Sequence, residues 1–392
     1  MMSVVLLVIL LLLTIFFPII SVVFNLIGFI LFKRERKFIA FLLALSIASV
    51  AYVWNPSYEA DLYRWHVEMQ MFKDFTFGNL LKYVSENFEP LNYFIKFLLS
   101  KTGDFNLLQF FVSGIGYLEM FLIFADFSKR ENIKLSSFVI SLFFIISTLQ
   151  FIGFISGLWF YFAVINFFVG IYLEFVVKTK KIHWFFYISS ICLHISMLLI
   201  LIILIFVKRS TKQICLWKIF AIFIVTFLVD KIIIWLNNFD VSIFKYIYQM
   251  YDSYFLNGSQ FDSINGGSNL LFGIYRLIIC LITFFLNKKI ILEKFNYKYY
   301  NLLVIIMSSV MALLFSANVF VRFIFYIQLL ILPILLLYLN ENTKKNKIPY
   351  YFLIFISICL MSIKQYNSLV SSNIFNDINN NILNSIFMLG ER

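Results

Sequence analysis

Apolar residues arrive in this chain as long unbroken runs, at 4–32, 38–54, 105–127, 136–151, 158–177, 184–207, 214–236, 270–286, 299–315, 320–339 and 350–363. A run of about 18 or more residues crosses the roughly 30 Å hydrocarbon core of a bilayer as a helix, which bonds its own backbone groups there. A membrane β-barrel needs period-two alternation, which these runs lack. The pattern therefore predicts an all-α, polytopic transmembrane bundle of about 10–12 membrane segments. It forms a single integral membrane domain over 1–392. The first run has neither a preceding basic stretch nor a small-residue cleavage site, and it is expected to stay as one helix with its N-terminus outside.

Polar residues concentrate between the runs. The island at 55–104 holds Glu59, Asp61, Glu68, Asp74, Glu86, Glu89 and Asp104 among Arg64, His66 and many aromatic residues. Basic residues instead cluster at run ends, at 33–37, 129–134, 178–181, 208–212, 288–298 and 344–347. Cytoplasmic loops carry an excess of Lys and Arg, so these clusters are expected inside. The island at 55–104, a second loop at 237–269 and a tail at 365–392 are then external. One conflict arises, because the run at 184–207 is flanked by basic clusters on both sides. A re-entrant hairpin with its tip near His194 resolves it and is preferred to an uninterrupted helix. Within the second loop, aromatic spacing near 243–255 suits an interfacial amphipathic helix, and 257–269 reads as a flexible turn.

Composition agrees with the pattern. The chain is 62% hydrophobic and 13% charged, against about 45–50% and about 25% in soluble domains. Its net charge of +12 sits at run ends, which points to membrane topology and away from a nucleic-acid partner. Cys192, Cys215, Cys280 and Cys359 fall in or beside apolar runs with no close pair, and His66, His183 and His194 are scattered. No metal site and no cofactor are expected, and no nucleotide-binding or hydrolase fingerprint is present.

Candidate chemistry lies at the outer edge. Asp61 and Glu59 are placed to take a proton from an acceptor hydroxyl, with Arg64 and Tyr63 beside them to hold substrate. Arg64 and Glu68 have i,i+4 spacing, and a surface ion pair is the simpler account of that group. Glu89 precedes Pro90 at a helix start, where capping alone explains an acid. Arg276 and Arg322 lie within apolar runs, where a cation costs about 2.5–3.5 kcal/mol on insertion scales. Two such arginines could clamp a diphosphate bidentately, and snorkelling to the interface is the alternative for Arg322. His194 is of interest only at a hairpin tip. Glu119 and Glu174 also lie in apolar runs, without an assignable partner.

The order of these elements resembles the EpsG and Wzy group of bacterial polysaccharide polymerases. Asp61 and Tyr63 follow an early span, the segment at 88–94 reads FEPLNYF, and 102–106 leads into a long span. The resemblance continues with GLWFYFA at 157–163, CLHISMLL at 192–199 and NVFVRFIFY at 318–326. It implies a GT-C-like helical core and an enzyme that joins oligosaccharide repeat units carried on undecaprenyl diphosphate. That enzyme works at the outer face of the bacterial cytoplasmic membrane, with a chain-length regulator and a flippase as partners. Such a reaction needs a base and cations for the departing diphosphate, the roles of Asp61, Glu59, Glu89 or His194 and of Arg276 and Arg322. Relatives often carry arginine where this chain has Trp159, which is placed with the substrate-binding residues. A lipid-linked oligosaccharide flippase and a glycan ligase remain as alternatives. The concentration of polar residues in loops rather than at mid-span favours an enzyme over a flippase.

Overall fold

The computed structural model describes residues 2–56, 60–214, 259–313, 317–341 and 348–386, with 388 and parts of 224–252. Regular structure among the described residues is helical throughout. Helices α1 (Met2–Phe16) and α2 (Pro18–Leu31) precede α3 (Arg36–Val53), and the polar island folds into α4 (Asp61–Lys73), α5 (Phe77–Asn87) and α6 (Pro90–Ser100). Next come α7 (Leu107–Arg130), α8 (Leu135–Thr148), α9 (Phe151–Ser156), α10 (Leu158–Phe175), α11 (Ile182–Leu193) and α12 (Met197–Arg209). The chain continues through α13 (Val229–Leu236), α14 (Ser259–Leu286), α15 (Lys288–Phe295), α16 (Tyr297–Ala312), α17 (Ala317–Asn340), α18 (Ile348–Ser371) and α19 (Ile374–Asn381).

Five of these, α3, α7, α10, α17 and α18, are long and apolar enough to cross a bilayer, and α14 with α15 adds a sixth bent by 68°. α10 and α17 form the centre, with 89% and 83% of their apolar windows buried inside the protein. Helices that bury nearly every face must be apolar all round, which is why their runs show little amphipathic pattern.

Side-chain pairings fix the directions of the helices. Gly116 of α7 faces Phe162 of α10, and the Tyr172 hydroxyl donates to Asp126 at 2.7 Å, so α7 and α10 run parallel. Phe160 meets Phe323 and, two turns on, Phe167 meets Tyr326, so α17 runs in the same direction as α10. One end of the bundle therefore gathers the starts of α7, α10 and α17 with the polar island. The end of α18 joins them, since the Trp54 indole donates to Ser372 O at 3.2 Å and the Asn55 amide to Asp377 at 3.0 Å.

The opposite end collects the basic clusters. Lys37 and Arg130 pair with Asp126 at 3.5 and 2.5 Å, Lys294 with Glu131 at 2.8 Å, and Lys208 with Glu174 at 2.7 Å. Arg36, buried, donates to Phe29 O, Ile30 O and Ser128 Oγ and stacks on Phe138 at 3.6 Å. Its guanidinium thereby satisfies carbonyls left over at the end of α2.

The run at 184–207 is a re-entrant hairpin. Lys208 lies 4.5 Å from the Trp184 ring, whereas a continuous helix would separate them by about 36 Å. The break falls at 194–196, where His194 takes an extended backbone (φ −154°, ψ 118°).

The first run differs from expectation, being two helices folded against each other. Asn25 Nδ2 donates to Thr14 Oγ1 at 2.9 Å, and a Cβ on Gly28 would sit 3.0 Å from Leu10. Pro18 occupies the first turn of α2, where its missing N–H is harmless, and its ring prevents α1 from continuing. Residue 2 consequently lies toward the basic end, not opposite it. Residues 259–269, expected as a turn, open α14, since an apolar helix already nucleated at 270–286 extends at little cost. Most of the run at 214–236 and of the loop at 237–258 falls outside the described residues.

Candidate active site

The re-entrant tip meets the island at Glu89. Pro90 starts α6 and Glu89 stands just before it, but the Glu89 side chain makes no capping bond to its own helix. Its carboxylate reaches across to the tip, where Oε1 accepts from the Ile195 amide at 3.3 Å and lies 4.0 Å from His194 Nδ1. Oε2 accepts from Asn92 Nδ2 at 2.8 Å. Glu89 is 5% exposed, so the two donors, the Ile195 amide and Asn92, take the place of water that a carboxylate would otherwise need.

His194 is oriented by its own turn. Ser196 N and Oγ approach Nδ1 at 3.3 and 2.8 Å, and an amide can only donate, so Nδ1 accepts and a neutral ring carries its proton on Nε2. The imidazole packs against the edge of Phe160 at 5.5 Å. Arg322, near the start of α17, holds its guanidinium 5.9 Å from the same Phe160 ring and within electrostatic reach of His194. Four separate elements, the α5–α6 corner, the hairpin tip, α10 and α17, thus converge on an acid, a histidine and an arginine.

A second charged group lies in the same island. Lys96 is 1% exposed, ion-pairs with Glu68 of α4, and lies 4.4 Å from the Tyr93 ring and 5.8 Å from that of Trp159. Tyr83 also donates to Glu68, at 2.9 Å. Burial pushes the Lys96 ammonium down from its ordinary range, and the Glu68 carboxylate opposes that shift. Trp159 is buried with its indole N–H unpartnered among the described residues, and it meets Trp65 edge-on at 6.3 Å. Lys96 was not singled out from sequence. The signal was available, because Asn92, Tyr93, Lys96 and Ser100 follow helical spacing on the buried face of α6.

Of the residues expected from sequence, Glu89, His194 and Arg322 are brought together, and Trp159 lies by Lys96. Asp61 and Arg64 pair with each other at 2.7 Å at the start of α4, Asp61 half-buried and Arg64 exposed, and Tyr63 is exposed beside them. Glu68 pairs with Lys96 rather than with Arg64 as its spacing suggested. Glu59 lies outside the described residues. Arg276 is buried against Gln328, whose Oε1 accepts from Nε at 2.7 Å. No group of His, Cys, Asp and Glu among the described residues has metal-site geometry.

Two apolar recesses lie among the helices next to Glu89 and His194, lined by their sequence neighbours and not by those two residues themselves. One, of about 410 Å³, lies between α6, α7, α10 and α11, and Leu193 and Glu119 line it. The other, of about 490 Å³, lies between α5, α6 and α11, with Pro90 and Cys192 in its wall. Leu91, Phe185 and Ser189 line both.

Neither a curated protein nor a solved structure matches this chain. The model of the EpsG family does match, over residues 38–379, a stretch that takes in the island, the hairpin, all six long helices and the convergence of Glu89, His194 and Arg322; the chain belongs to the EpsG family.

Proposed function

We propose that the protein joins lipid-diphosphate-linked oligosaccharide repeat units into a polysaccharide, with the chemistry at Glu89, His194 and Arg322. Family membership supports a polysaccharide-polymerase type of function in a multi-pass membrane protein. The single observation that carries the mechanism is the contact of the Glu89 carboxylate with the hairpin tip beside Arg322.

In the proposed reaction an acceptor hydroxyl attacks the anomeric carbon of the donor sugar. The new C–O bond forms as the bond to the lipid diphosphate breaks, the diphosphate leaves with the electron pair, and Glu89 takes the hydroxyl proton. Glu89 is favoured as base over Asp61 because it is buried among fixed donors, a setting that holds a reacting group in place. Arg322 offers a planar fork to the departing phosphate oxygens. Attack opposite the leaving group inverts the anomeric centre. The two recesses, walled by Leu193 and Pro90 next to His194 and Glu89 in sequence, suit the lipid tail because their linings are apolar. With the basic clusters cytoplasmic, this end faces outward from the bacterial cytoplasmic membrane. Undecaprenyl diphosphate is the proposed carrier, and a flippase and a chain-length regulator are the proposed partners.

The test compares Glu89→Gln with Asp61→Asn in membranes supplied with lipid-linked repeat units, scored by the glycan ladder. A general base is worth about 10²–10⁴-fold in rate. Glu89→Gln is expected to leave single units, while Asp61→Asn retains longer chains. Parent-like chain extension by Glu89→Gln at matched protein level would sink this assignment, and loss confined to Asp61→Asn would move the base to α4.

A further inference from the structure

Three neighbouring helices carry cations within long stretches that hold no acid. From residue 270 onward α14 has no Asp or Glu, nor has any part of α17 or α18, yet Arg276, Arg322 and Lys364 stand on them. Arg276 is 2% exposed, and its described hydrogen-bond partner is the neutral amide of Gln328. An amide oxygen accepts the guanidinium's protons without cancelling its charge.

Lys364 of α18 adds a second positive charge. Its ammonium lies 5.2 Å from the ring of Phe272, one turn before Arg276 on the same face of α14, and within Coulombic reach of Arg276. The helices are held in this register by Tyr275 donating to Leu353 O at 3.3 Å and by the Thr283 and Tyr350 hydroxyls at 2.7 Å. Like charges repel more strongly away from water, and a carboxylate is the usual remedy in a protein interior. Lys96 has Glu68 and Lys208 has Glu174. Among the described residues, Arg276 and Lys364 have no such partner.

We propose that Arg276 and Lys364 form an anion site for the diphosphate of a membrane lipid, distinct from the position served by Arg322. The proposal rests on the polymerase reading above. An enzyme that joins two lipid-linked units holds two diphosphates at once, one that leaves and one that stays attached. Arg322 stands beside His194 and Glu89, where the departing group belongs, and the Arg276–Lys364 pair holds the retained one. Gln328 orients the Arg276 fork, and Lys364 contributes a second positive charge.

The experiment titrates the purified full-length protein, in nanodiscs of zwitterionic lipid, with farnesyl diphosphate, a sugar-free polyprenyl diphosphate. Inorganic pyrophosphate and phosphatidylglycerol are run as separate probes. The parent is expected to bind two farnesyl diphosphates per chain. Lys364→Gln should weaken one of them by about tenfold or more, and Lys364→Arg should preserve it. Arg276→Gln should affect the same one, and Arg322→Gln the other. Two undiminished sites in both Lys364→Gln and Arg276→Gln, with parent-like melting and size-exclusion profiles, overturn the proposal. Pyrophosphate or phosphatidylglycerol binding there as tightly as farnesyl diphosphate overturns the assignment to a lipid diphosphate. Lys364-dependent binding in a protein that extends no glycan leaves the anion site standing and removes the polymerase reading.

Discussion

The two ends of the bundle handle charge in opposite ways. At the basic end Lys37, Arg130, Lys208 and Lys294 meet Asp126, Glu174 or Glu131, and Arg36 is spent on carbonyls and a hydroxyl. Those charges complete their electrostatics within the chain and anchor helices to one another. At the other end Glu89 turns toward a histidine and a hairpin backbone, while Arg276 and Lys364 have no carboxylate partner among the described residues. Charge left without a carboxylate partner is available to a ligand, and that difference supports the proposal that one end anchors the bundle and the other holds the chemistry.

Topology is the contrast with the largest expected effect. Single cysteines introduced at Ser85, on the island, and at Lys129, at the basic end, in a background lacking the native cysteines, should respond oppositely to an impermeant thiol reagent on whole cells. Only Ser85→Cys is expected to label. Equal labelling of both, or the reverse, removes the outward orientation of the site.

Breaking the buried pair comes next. Glu68→Ala leaves the buried Lys96 ammonium without its ion-pair partner, Glu89 acting on it only from further away, for an expected loss of about 3–5 kcal/mol in stability. The folded yield on size exclusion should collapse, and the double variant Glu68→Ala, Lys96→Met should recover much of it. A stable Glu68→Ala variant would show that Lys96 reaches water.

Arg322 sharpens the contrast at the level of activity. Arg322→Ala should slow chain extension about 10–100-fold, since hydrogen bonds to charged groups are worth about 1.5–3 kcal/mol. Arg322→Lys should fall between that variant and the parent, because it keeps the charge and loses the fork. Indistinguishable rates for the three proteins would return Arg322 to an interfacial role.

The smallest effect belongs to the basic end. Lys294 and Glu131 are partly exposed, and such pairs are worth about 0–1 kcal/mol. Lys294→Ala should shift the melting temperature by no more than a few degrees and leave the glycan ladder unchanged. A shortened ladder would mean that the two ends are coupled.

Much of this arrangement was legible in the residues, and the misses have physical causes. The hairpin at 182–209 followed from basic clusters on both sides of one apolar run, because charge placement restricts which folds can be inserted. The N-terminal hairpin was hidden by an equally apolar run, although Pro18 marked its hinge. Pro333 shows why proline alone does not decide: it lies inside α17, where the Tyr299 hydroxyl donates to the Leu330 carbonyl at 2.6 Å and supports the backbone next to it. Glu68 was assigned to Arg64 by helical spacing, whereas its partner Lys96 is 28 residues away and meets it only through packing of α6 on α4. Lys364 escaped notice because hydropathy falls just there, ending the expected run at 363, while the helix continues to Ser371. The convergence of Glu89, His194 and Arg322 spans more than two hundred residues of sequence, a distance over which periodicity carries no information.

The hinge of the N-terminal hairpin also ties down the last part of the chain, for the amide of Ile386 donates to the carbonyl of Ile15 at 2.9 Å. Ile19, Tyr52 and Val53 pack there with Ile378 and Ile386. Ribosomes emit chains from the N-terminus, so the first hairpin and α3 enter the bilayer long before residues that complete their outer edge have been synthesised. The outer edge of the island end is consequently closed only once residues 378–386 are in place, however early its first helices insert.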